Sequence, residues 1–203
     1  MKYAFRVQKK LKEVSQIVSG YTFRGSINND PKGDVFVLQA KNIVPNRDIS
    51  NTDDFAKISG GALRNPYFLE YNDILLVSRG SGLGSFRTTV FDSKVPNVMP
   101  SSSVYVLKIK EVTVLPKYIS LYLNSEAGQK ALFQIATGGS YIQSLLVKNL
   151  MDFKIPIPPI HIQKSIIALH ENMQAQEKIQ ERKSELKKTI INATFINLTE
   201  NQS

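Results

Sequence analysis

The stretch 150–198 decides the fold, and it contains the proline-rich run Ile155-Pro156-Ile157-Pro158-Pro159-Ile160. Proline fixes its own φ angle and disfavours the helical region for the residue before it, so residues 155–157 are predicted to be extended. From Ile160 to Leu198 the chain contains neither Gly nor Pro. At about 1.5 Å per residue, a helix over that range is about 58 Å long, roughly twice the width of a small domain. The sequence therefore predicts a globular body followed by one long C-terminal helix.

Apolar residues form a stripe along the predicted helix, with the alternating spacing of three and four residues that is typical of a coiled coil. The stripe changes phase near residues 174–176, and Ala175 belongs to its second part. An amphipathic helix packed on its own body would also carry such a stripe, but these apolar positions extend beyond the body. We therefore expect the helix to pair with another helix. The predicted interface residues are Ile162, Ile166, Leu169, Met173, Ile179, Leu186, Ile190 and Ala193.

The positive charge of the chain is concentrated in the body. The formal net charge is +9, and the segment from Ile160 onward holds six basic and five acidic residues. That leaves 20 basic and 12 acidic residues, a net charge of +8, on residues 1–159. A basic body predicts an anionic partner, most simply nucleic acid phosphate, although basic surfaces without that role are common.

The sequence lacks the usual signatures of a metal site, a membrane segment or a common enzyme. It has no Cys, and His161 and His170 are nine residues apart, which fits no metal-ligand spacing. No apolar run reaches the roughly 18 residues of a membrane span, so we expect a cytoplasmic protein without a membrane partner. Asn65-Pro66-Tyr67-Phe68 lacks the second proline of the amino-methyltransferase box, and the glycines of residues 80–84 lack the dinucleotide-binding spacing. We expect a non-catalytic chain that holds no metal.

The body is predicted to be an α+β fold, with a mostly β core and helices gathered late in the chain. A turn at Asn72-Asp73 precedes a buried strand, and residues 44–65 are polar and predicted to be irregular. The predicted strands are 35–38, 74–77, 86–91, 104–109 and 153–157. The predicted helices are 11–20, 116–123 and a helix to residue 136 that is capped by Ser125.

Several short motifs, taken in order, resemble the specificity subunit of type I restriction-modification systems. They are the segment 11–22, Leu38-Gln39-Ala40-Lys41-Asn42-Ile43, Asn72-Asp73-Ile74-Leu75 followed by Arg79-Gly80, Pro116-Lys117-Tyr118-Ile119, and Ile155-Pro156-Ile157-Pro158-Pro159 with Gln163 and Ile166. Their order is similar to a target recognition domain, residues 1–158, followed by one conserved spacer helix, residues 159–203. The family usually has Gly at the position of Asn72, a residue that also tolerates left-handed backbone geometry.

The chain resembles half a specificity subunit, because the usual member carries two recognition domains and two spacer helices. The resemblance implies a homodimer in which two copies pair their helices as an antiparallel coiled coil about a twofold axis. It also implies double-stranded DNA with a bipartite target, and the modification and restriction subunits, as partners. Those subunits supply S-adenosylmethionine-dependent methyl transfer and cleavage, while this chain binds no cofactor itself.

Loop residues with hydrogen-bonding side chains are the candidates for DNA contact, because Arg can read guanine, and Asn or Gln adenine, through two hydrogen bonds. The candidates are Lys41, Asn42, Arg79, Ser81, Arg87, Ser140, Tyr141 and Gln143. Each also has a structural interpretation: Arg79 could satisfy carbonyl groups at a strand end, and Asn42 could form a turn. The alternative function is a decoy or assembly regulator, which binds the modification subunit through the helix and does not read DNA itself. A free-standing methyltransferase or nuclease is a third, weaker alternative.

Overall fold

The computed structural model describes residues 7–139 and 141–200, and it divides the chain into two compact units, Met1–Gln163 and Lys164–Ser203. The helices are α1 (Leu11–Val14), α2 (Pro116–Asn124), α3 (Glu126–Ile135), α4 (Val147–Met151) and α5 (Ile160–Glu200). The strands are β1 (Gln8–Lys10), β2 (Ser15–Ser19), β3 (Val35–Leu38), β4 (Ala56–Ile58), β5 (Ile74–Val77), β6 (Arg79–Gly80), β7 (Thr88–Val90), β8 (Val98–Pro100), β9 (Val104–Ile109), β10 (Thr137–Gly138), β11 (Gln143–Ser144) and β12 (Lys154–Pro156). Mixed sheets followed by a long helix confirm the predicted α+β class.

The centre of the first unit is a four-stranded antiparallel sheet in the order β2-β9-β5-β7. All four residues of β5 are buried, because both faces of the sheet are covered. On one face, α2 packs against β5 and β7. On the other face lies a second sheet, β4-β3-β8, in which β3 and β8 are parallel.

The largest group of buried apolar side chains includes residues of both sheets. Leu75, Val77, Val104 and Val106 come from the central sheet, and Leu38 comes from the second sheet. Each alternates along its strand with residues that point away, as the two-residue period of a β-strand requires. Fully burying a Leu or Phe side chain stabilises the folded state by about 1.5–3 kcal/mol.

The predicted helix over residues 11–20 is wrong beyond its first turn. Helix α1 ends at Val14, and residues 15–19 form strand β2, which pairs along its whole length with β9. Leu11 and Val14 are buried as expected, but Val18 packs on the core from a strand. The spacing of Leu11, Val14 and Val18 fits one helix face, yet the backbone pairing offered by β9 overrides that local preference.

The turn before β5 uses Asn72 in the left-handed conformation, with φ of 71°. The family usually has Gly at this position, and Asn also tolerates the left-handed geometry, as the sequence analysis predicted. Asp73, the next residue, is buried and accepts hydrogen bonds from the Tyr67 hydroxyl and the Glu70 amide, each at 2.8 Å. Burial raises the pKa of the Asp73 carboxyl, and these hydrogen bonds oppose that change. The turn therefore fixes the start of the central buried strand.

The first unit closes on itself, because β1 pairs antiparallel with β12. Asp152, which follows α4, accepts contacts at 2.9 Å from both Lys10 and Lys12. Hydrogen bonds from these two ammonium groups lower the pKa of the Asp152 carboxyl to about 2. Backbone hydrogen bonds between β1 and β12, together with the ion pairs to Asp152, thus hold the start of the unit against its end.

Helix α5 confirms the long C-terminal helix, and its first residue is Ile160, directly after the last proline. Gln163, in its first turn, is fully buried. The Gln163 amide accepts a hydrogen bond from the Leu115 N–H at 2.9 Å and donates to the carbonyl groups of Thr113 and Pro158 at 2.9 and 2.8 Å. In the second unit the apolar stripe is solvent-exposed along the helix, from Ile166 to Ala193. No helix among the described residues has the length and apolar character needed to cross a membrane.

Candidate nucleic-acid interface

Four loops meet at one end of the central sheet. Neighbouring strands in this sheet run antiparallel, so the last residues of β2 and β5 lie at the same end of the sheet as the first residues of β9 and β7. Residues 20–24, 78–87 and 101–103 follow or precede those strands, and residues 39–42 follow β3, which ends beside Ser101. We call these four segments the loop end. The turn before β5 and the residues after β9 lie at the opposite end. The loop end gathers polar and basic side chains that are far apart in the sequence.

Backbone hydrogen bonds to residues 100–103 hold these loops together. The Tyr21 N–H donates to the Pro100 carbonyl at 2.7 Å, and the Ser78 N–H donates to the Ser103 carbonyl at 2.9 Å. The Ser101 N–H donates to the Leu38 carbonyl at 2.8 Å, which brings the end of β3 to the same place. A buried strand end with satisfied backbone groups is a rigid support for the exposed side chains around it.

A small three-stranded sheet, β10-β11-β6, extends the loop end and carries half of the predicted DNA-contacting residues. Arg79 pairs with Ser144, and Gly80 pairs with Gln143. Arg79, Ser81 and Tyr141 are exposed, whereas Gln143 is half-buried. The Gln143 side-chain oxygen is buried, and no described group donates to it. The structure therefore brings Arg79, Ser81, Tyr141 and Gln143 together; Ser140 lies outside the described residues.

Lys41, Asn42 and Arg87 form a second group beside the first. Lys41 and Asn42 lie in a 3₁₀ turn, Ala40–Asn42, and the Arg87 guanidinium donates to the Ala40 carbonyl at 3.0 Å. The Asn42 side chain accepts from the Gln39 N–H at 2.9 Å and donates to the Asp54 carbonyl at 3.2 Å. Arg87 and Asn42 thus hold the turn in place, and the turn presents Lys41 to solvent. Contact of any of these residues with DNA stays a prediction.

Two exposed cations at the loop end, Lys41 and Arg79, form no ion pair with a described carboxylate. Within residues 7–139 and 141–163, ion pairs tie Lys9 to Glu111, Lys108 to Glu70, Lys117 to Asp48 and Lys130 to Glu126, with Asp152 bound as above. None of the ion pairs in this range involves Lys41 or Arg79. Arg79 lies close enough to Tyr105 to oppose the rise in the Tyr105 pKa that burial causes. Unpaired exposed cations attract the phosphates of a polyanion.

Sequence reasoning missed a neighbouring groove that contains two arginines. Tyr21 and Phe23 pack edge to face, with ring centroids 5.1 Å apart, and both line the groove with the exposed side chains of Arg24 and Arg64. A signal for Arg24 was present, since it lies two residues after the motif segment 11–22. Nothing in the sequence indicated that Arg64 would lie beside it, because the two positions are brought together only by the fold.

The side chains of the loop end suit recognition of an anionic polymer better than acid-base or metal chemistry. They are guanidinium, ammonium, hydroxyl and amide groups, which donate hydrogen bonds to phosphates and base edges. Among the described residues, no group of three or more His, Asp or Glu side chains could hold a metal ion.

Comparison with solved structures places the fold among specificity subunits. A chain from a structure on complex assembly and conformational transition of the type I R-M system superposes with a TM-score of 0.61 and 18% identity, over 88% of this chain and 40% of that chain. The HsdS subunit from Thermoanaerobacter tengcongensis gives 0.55 and 18%, over 87% and 39%. The type I S subunit from M. genitalium gives 0.53 and 15%, over 83% and 39%. This chain therefore spans about 40% of the length of those proteins.

The family model of the type I restriction modification DNA specificity domain matches residues 7–192. A comparison with curated proteins found no match. The matched range includes the central sheet, every described residue of the loop end and most of α5. The fold and the sequence thus agree, and the chain belongs to the type I restriction modification DNA specificity domain family.

Proposed function

We propose that this chain is the sequence-specific DNA recognition subunit of a type I restriction-modification complex, and that its first unit reads one half of a bipartite target. The observation that carries the proposal is the family match over residues 7–192, together with the gathering of exposed basic and polar side chains at the loop end. In the proposed division of work, Lys41, Arg24 and Arg64 contact phosphates, while Arg79, Ser81 and Tyr141 approach base edges.

The second part of the proposal is a homodimer formed through α5. Apolar side chains such as Leu169, Met173 and Leu186 are exposed along this helix, and an exposed apolar surface of that length favours an interface. A second copy is the proposed occupant because an apolar stripe along the described helix can pair with the same stripe of a copy about a twofold axis. Antiparallel pairing about a twofold axis would then present two reading units to one duplex.

Sedimentation velocity at micromolar concentration tests the homodimer. The wild-type chain is expected to sediment as a dimer, and Leu186→Glu is expected to shift it to a monomer because it places a charge in the apolar interface. Ser184→Glu adds the same carboxylate to an exposed position on the opposite side of the helix, and should leave the dimer intact. A monomeric wild-type chain would contradict this part of the proposal.

The partners in the proposed complex are the modification and restriction subunits, which dock on α5 and carry out methyl transfer and cleavage. S-adenosylmethionine would be bound by the modification subunit, and this chain would be non-catalytic. The experiment that tests the function is methylome sequencing of cells that contain the three subunits. A bipartite methylated motif is expected, palindromic if two identical copies read it. The motif should be lost or relaxed at defined positions with Arg79→Ala.

The alternative is a decoy or assembly regulator that occupies the modification subunit without reading DNA. The exposed apolar stripe of α5 is the observation that favours it, because such a stripe suits docking on another protein without any DNA contact. DNA binding over a salt series separates the two functions, because phosphate contact makes affinity fall steeply with salt. Absence of DNA binding, even with the modification subunit present, would support the decoy and contradict the recognition function.

A further inference from the structure

Two turns extend from the same end of the small sheet β10-β11-β6. One is the turn 81–84, which follows β6; the other joins β10 to β11 and contains Tyr141 and Ile142. Because Gly80 pairs with Gln143 in antiparallel register, the residues that follow Gly80 lie beside those that precede Gln143. The two turns are therefore neighbours, although about 60 residues separate them in the sequence.

Both turns expose large apolar side chains where a solvent turn normally has small polar residues. Tyr141 is 88% exposed, Ile142 is 62% exposed and Leu83 is 56% exposed. Single exposed apolar residues are ordinary on a protein surface, but three on adjacent turns form a protrusion that water solvates poorly. Arg79 stands at the base of this protrusion, with no ion pair to a described carboxylate.

The backbone supports a fixed shape for the protrusion. Gly138 has φ of 142°, and a Cβ there would lie 2.5 Å from the Ile142 carbonyl oxygen, so the strand and the tip of the hairpin approach closely. A Cβ at Gly80 would lie 2.1 Å from the Ser85 hydroxyl, and that hydroxyl donates to the Gly82 carbonyl at 2.7 Å. The turn 81–84 therefore folds back on β6 and holds Leu83 at its tip.

We propose that Leu83, Tyr141 and Ile142 form an apolar wedge that inserts between base pairs of the bound duplex, with the Tyr141 ring stacked on a base. The proposal rests on the DNA-binding function proposed above and adds a mode of contact to it. Proteins that insert apolar side chains between base steps unstack them and bend the duplex. Aromatic rings stack on any base, because every base has a π face. Arg79 would bind a phosphate or base edge beside the wedge.

The occupant is DNA rather than an apolar protein surface because the wedge lies within the cationic loop end. Lys41, Arg79 and Arg24 lie in loops at this end and are exposed, and a polyanion would neutralise them as the wedge enters. An apolar protein partner would instead leave these charges uncompensated at the edge of its interface.

The absence of Trp from the sequence allows a direct test. Tyr141→Trp places a single indole at the tip of the wedge. Tyr71→Trp is the matched control, because Tyr71 is 58% exposed and lies in the turn before β5, at the opposite end of the central sheet. The full-length variants are titrated with a duplex of about 30 base pairs, roughly three helical turns, that carries the motif methylated in the host. Heparin serves as a polyanion without bases, and the anisotropy of an end-labelled duplex reports binding.

Stacking predicts that the duplex quenches the Tyr141→Trp indole by about half or more and shields it from acrylamide, while heparin does neither. The Tyr71→Trp indole is expected to remain unchanged with both polymers. Binding of the duplex without quenching at position 141 would overturn the wedge and leave the DNA-binding function standing. No binding at all would overturn both. Quenching by the modification subunit in the absence of DNA would overturn the wedge in favour of a protein contact.

A second measurement follows the shape of the DNA. Leu83→Ser combined with Ile142→Ser removes the apolar tips but keeps Arg79 and the charge of the loop end. Fluorescence energy transfer between the ends of the duplex is expected to report a bend with the wild-type chain and a smaller bend with the double variant. The slope of affinity against salt should be the same for both. An unchanged bend would overturn the insertion.

Discussion

Arg79 and Arg87 show how two similar residues of one loop take different roles. Arg79 is exposed, and no described carboxylate pairs with it. Arg87 is half-buried and donates to the Ala40 carbonyl, while its Nε lies buried without a described acceptor. The first is free to contact a ligand, and the second holds the 3₁₀ turn that presents Lys41.

The two arginines therefore predict opposite results on substitution. Arg79→Ala should weaken DNA binding by about 1–3 kcal/mol, the usual loss for an arginine that reads a base, with no change in the free energy of unfolding. Arg87→Ala should lower the free energy of unfolding by about 1–3 kcal/mol, because it removes a charge-assisted hydrogen bond to the Ala40 carbonyl and removes packed atoms. Urea denaturation and duplex binding measure the two effects. Equal loss of stability in both variants would contradict this distinction.

The sequence could predict which residues are polar and lie in loops, but not which of them bind within the protein. Asn42 was a candidate for reading adenine, and its amide is engaged by Gln39 and Asp54 in the folded chain. Arg64 was not a candidate, because its proximity to Arg24 depends on loops that are 40 residues apart. The bond from Gln39 is local and fits the turn-forming role that the sequence allowed for Asn42. The bond to Asp54 and the proximity of Arg24 to Arg64 are set by tertiary contacts, which carry no local signal.

Among the elements, those with strong local patterns were predicted well. Strands β3, β5 and β9, helices α2 and α3, and the start of α5 lie where the sequence placed them, and Ser125 caps α3 by accepting from the Gly128 N–H. The two-residue strands β6, β10 and β11 are too short to produce a period. The parallel pairing of β3 with β8 joins segments about 60 residues apart, so it was beyond the reach of local patterns.

The hairpin β10–β11 gives a prediction at the scale of an element. Gly138→Ala should distort the hairpin, since the new Cβ would meet the Ile142 carbonyl and the positive φ disfavours Ala. DNA affinity should fall by about tenfold, equivalent to about 1.4 kcal/mol, while the core stays folded by far-ultraviolet circular dichroism. Gly139→Ala is the control, because a Cβ there meets nothing within 4 Å. Equal binding by both variants would contradict a role for the hairpin.

The contact between α1 and the end of α4 predicts a pH dependence. The Asp152 pKa is lowered from 3.8 to about 2, so its ion pairs stabilise the folded chain above pH 4. That contribution is lost as the pH falls from about 4 towards 2, because the unfolded chain binds the proton first. Asp152→Asn should lower the melting temperature slightly at pH 6, and the difference should shrink as the pH falls towards 2. A constant difference across this range would show that the carboxylate charge is not the cause.

Across the whole molecule, charge and apolar surface are kept on different parts of the chain. The net charge of +8 lies on residues 1–159, and α5 is nearly neutral with an exposed apolar stripe. Composition alone could show this division. It could not show that lysines such as Lys9, Lys108 and Lys130 are paired with carboxylates, whereas Lys41 and Arg79 form no ion pair with a described carboxylate.

The proposed dimer predicts how salt affects DNA binding. If each copy contacts the duplex through its own loop end, the slope of log affinity against log salt should be about twice as steep for the wild-type chain as for the monomeric Leu186→Glu variant. Ser184→Glu should keep the wild-type slope. Equal slopes for wild type and Leu186→Glu would show that only one reading unit touches the duplex at a time.

Strands β1 and β12 pair side by side, with Gln8 opposite Pro156 and Lys10 opposite Lys154. The backbone therefore enters and leaves the body of the first unit at adjacent positions. A recombination event that replaced the segment between β1 and β12 would join the new segment to two strands that are already adjacent. If the proposed function holds, such an exchange would change the DNA target and leave α5 unchanged.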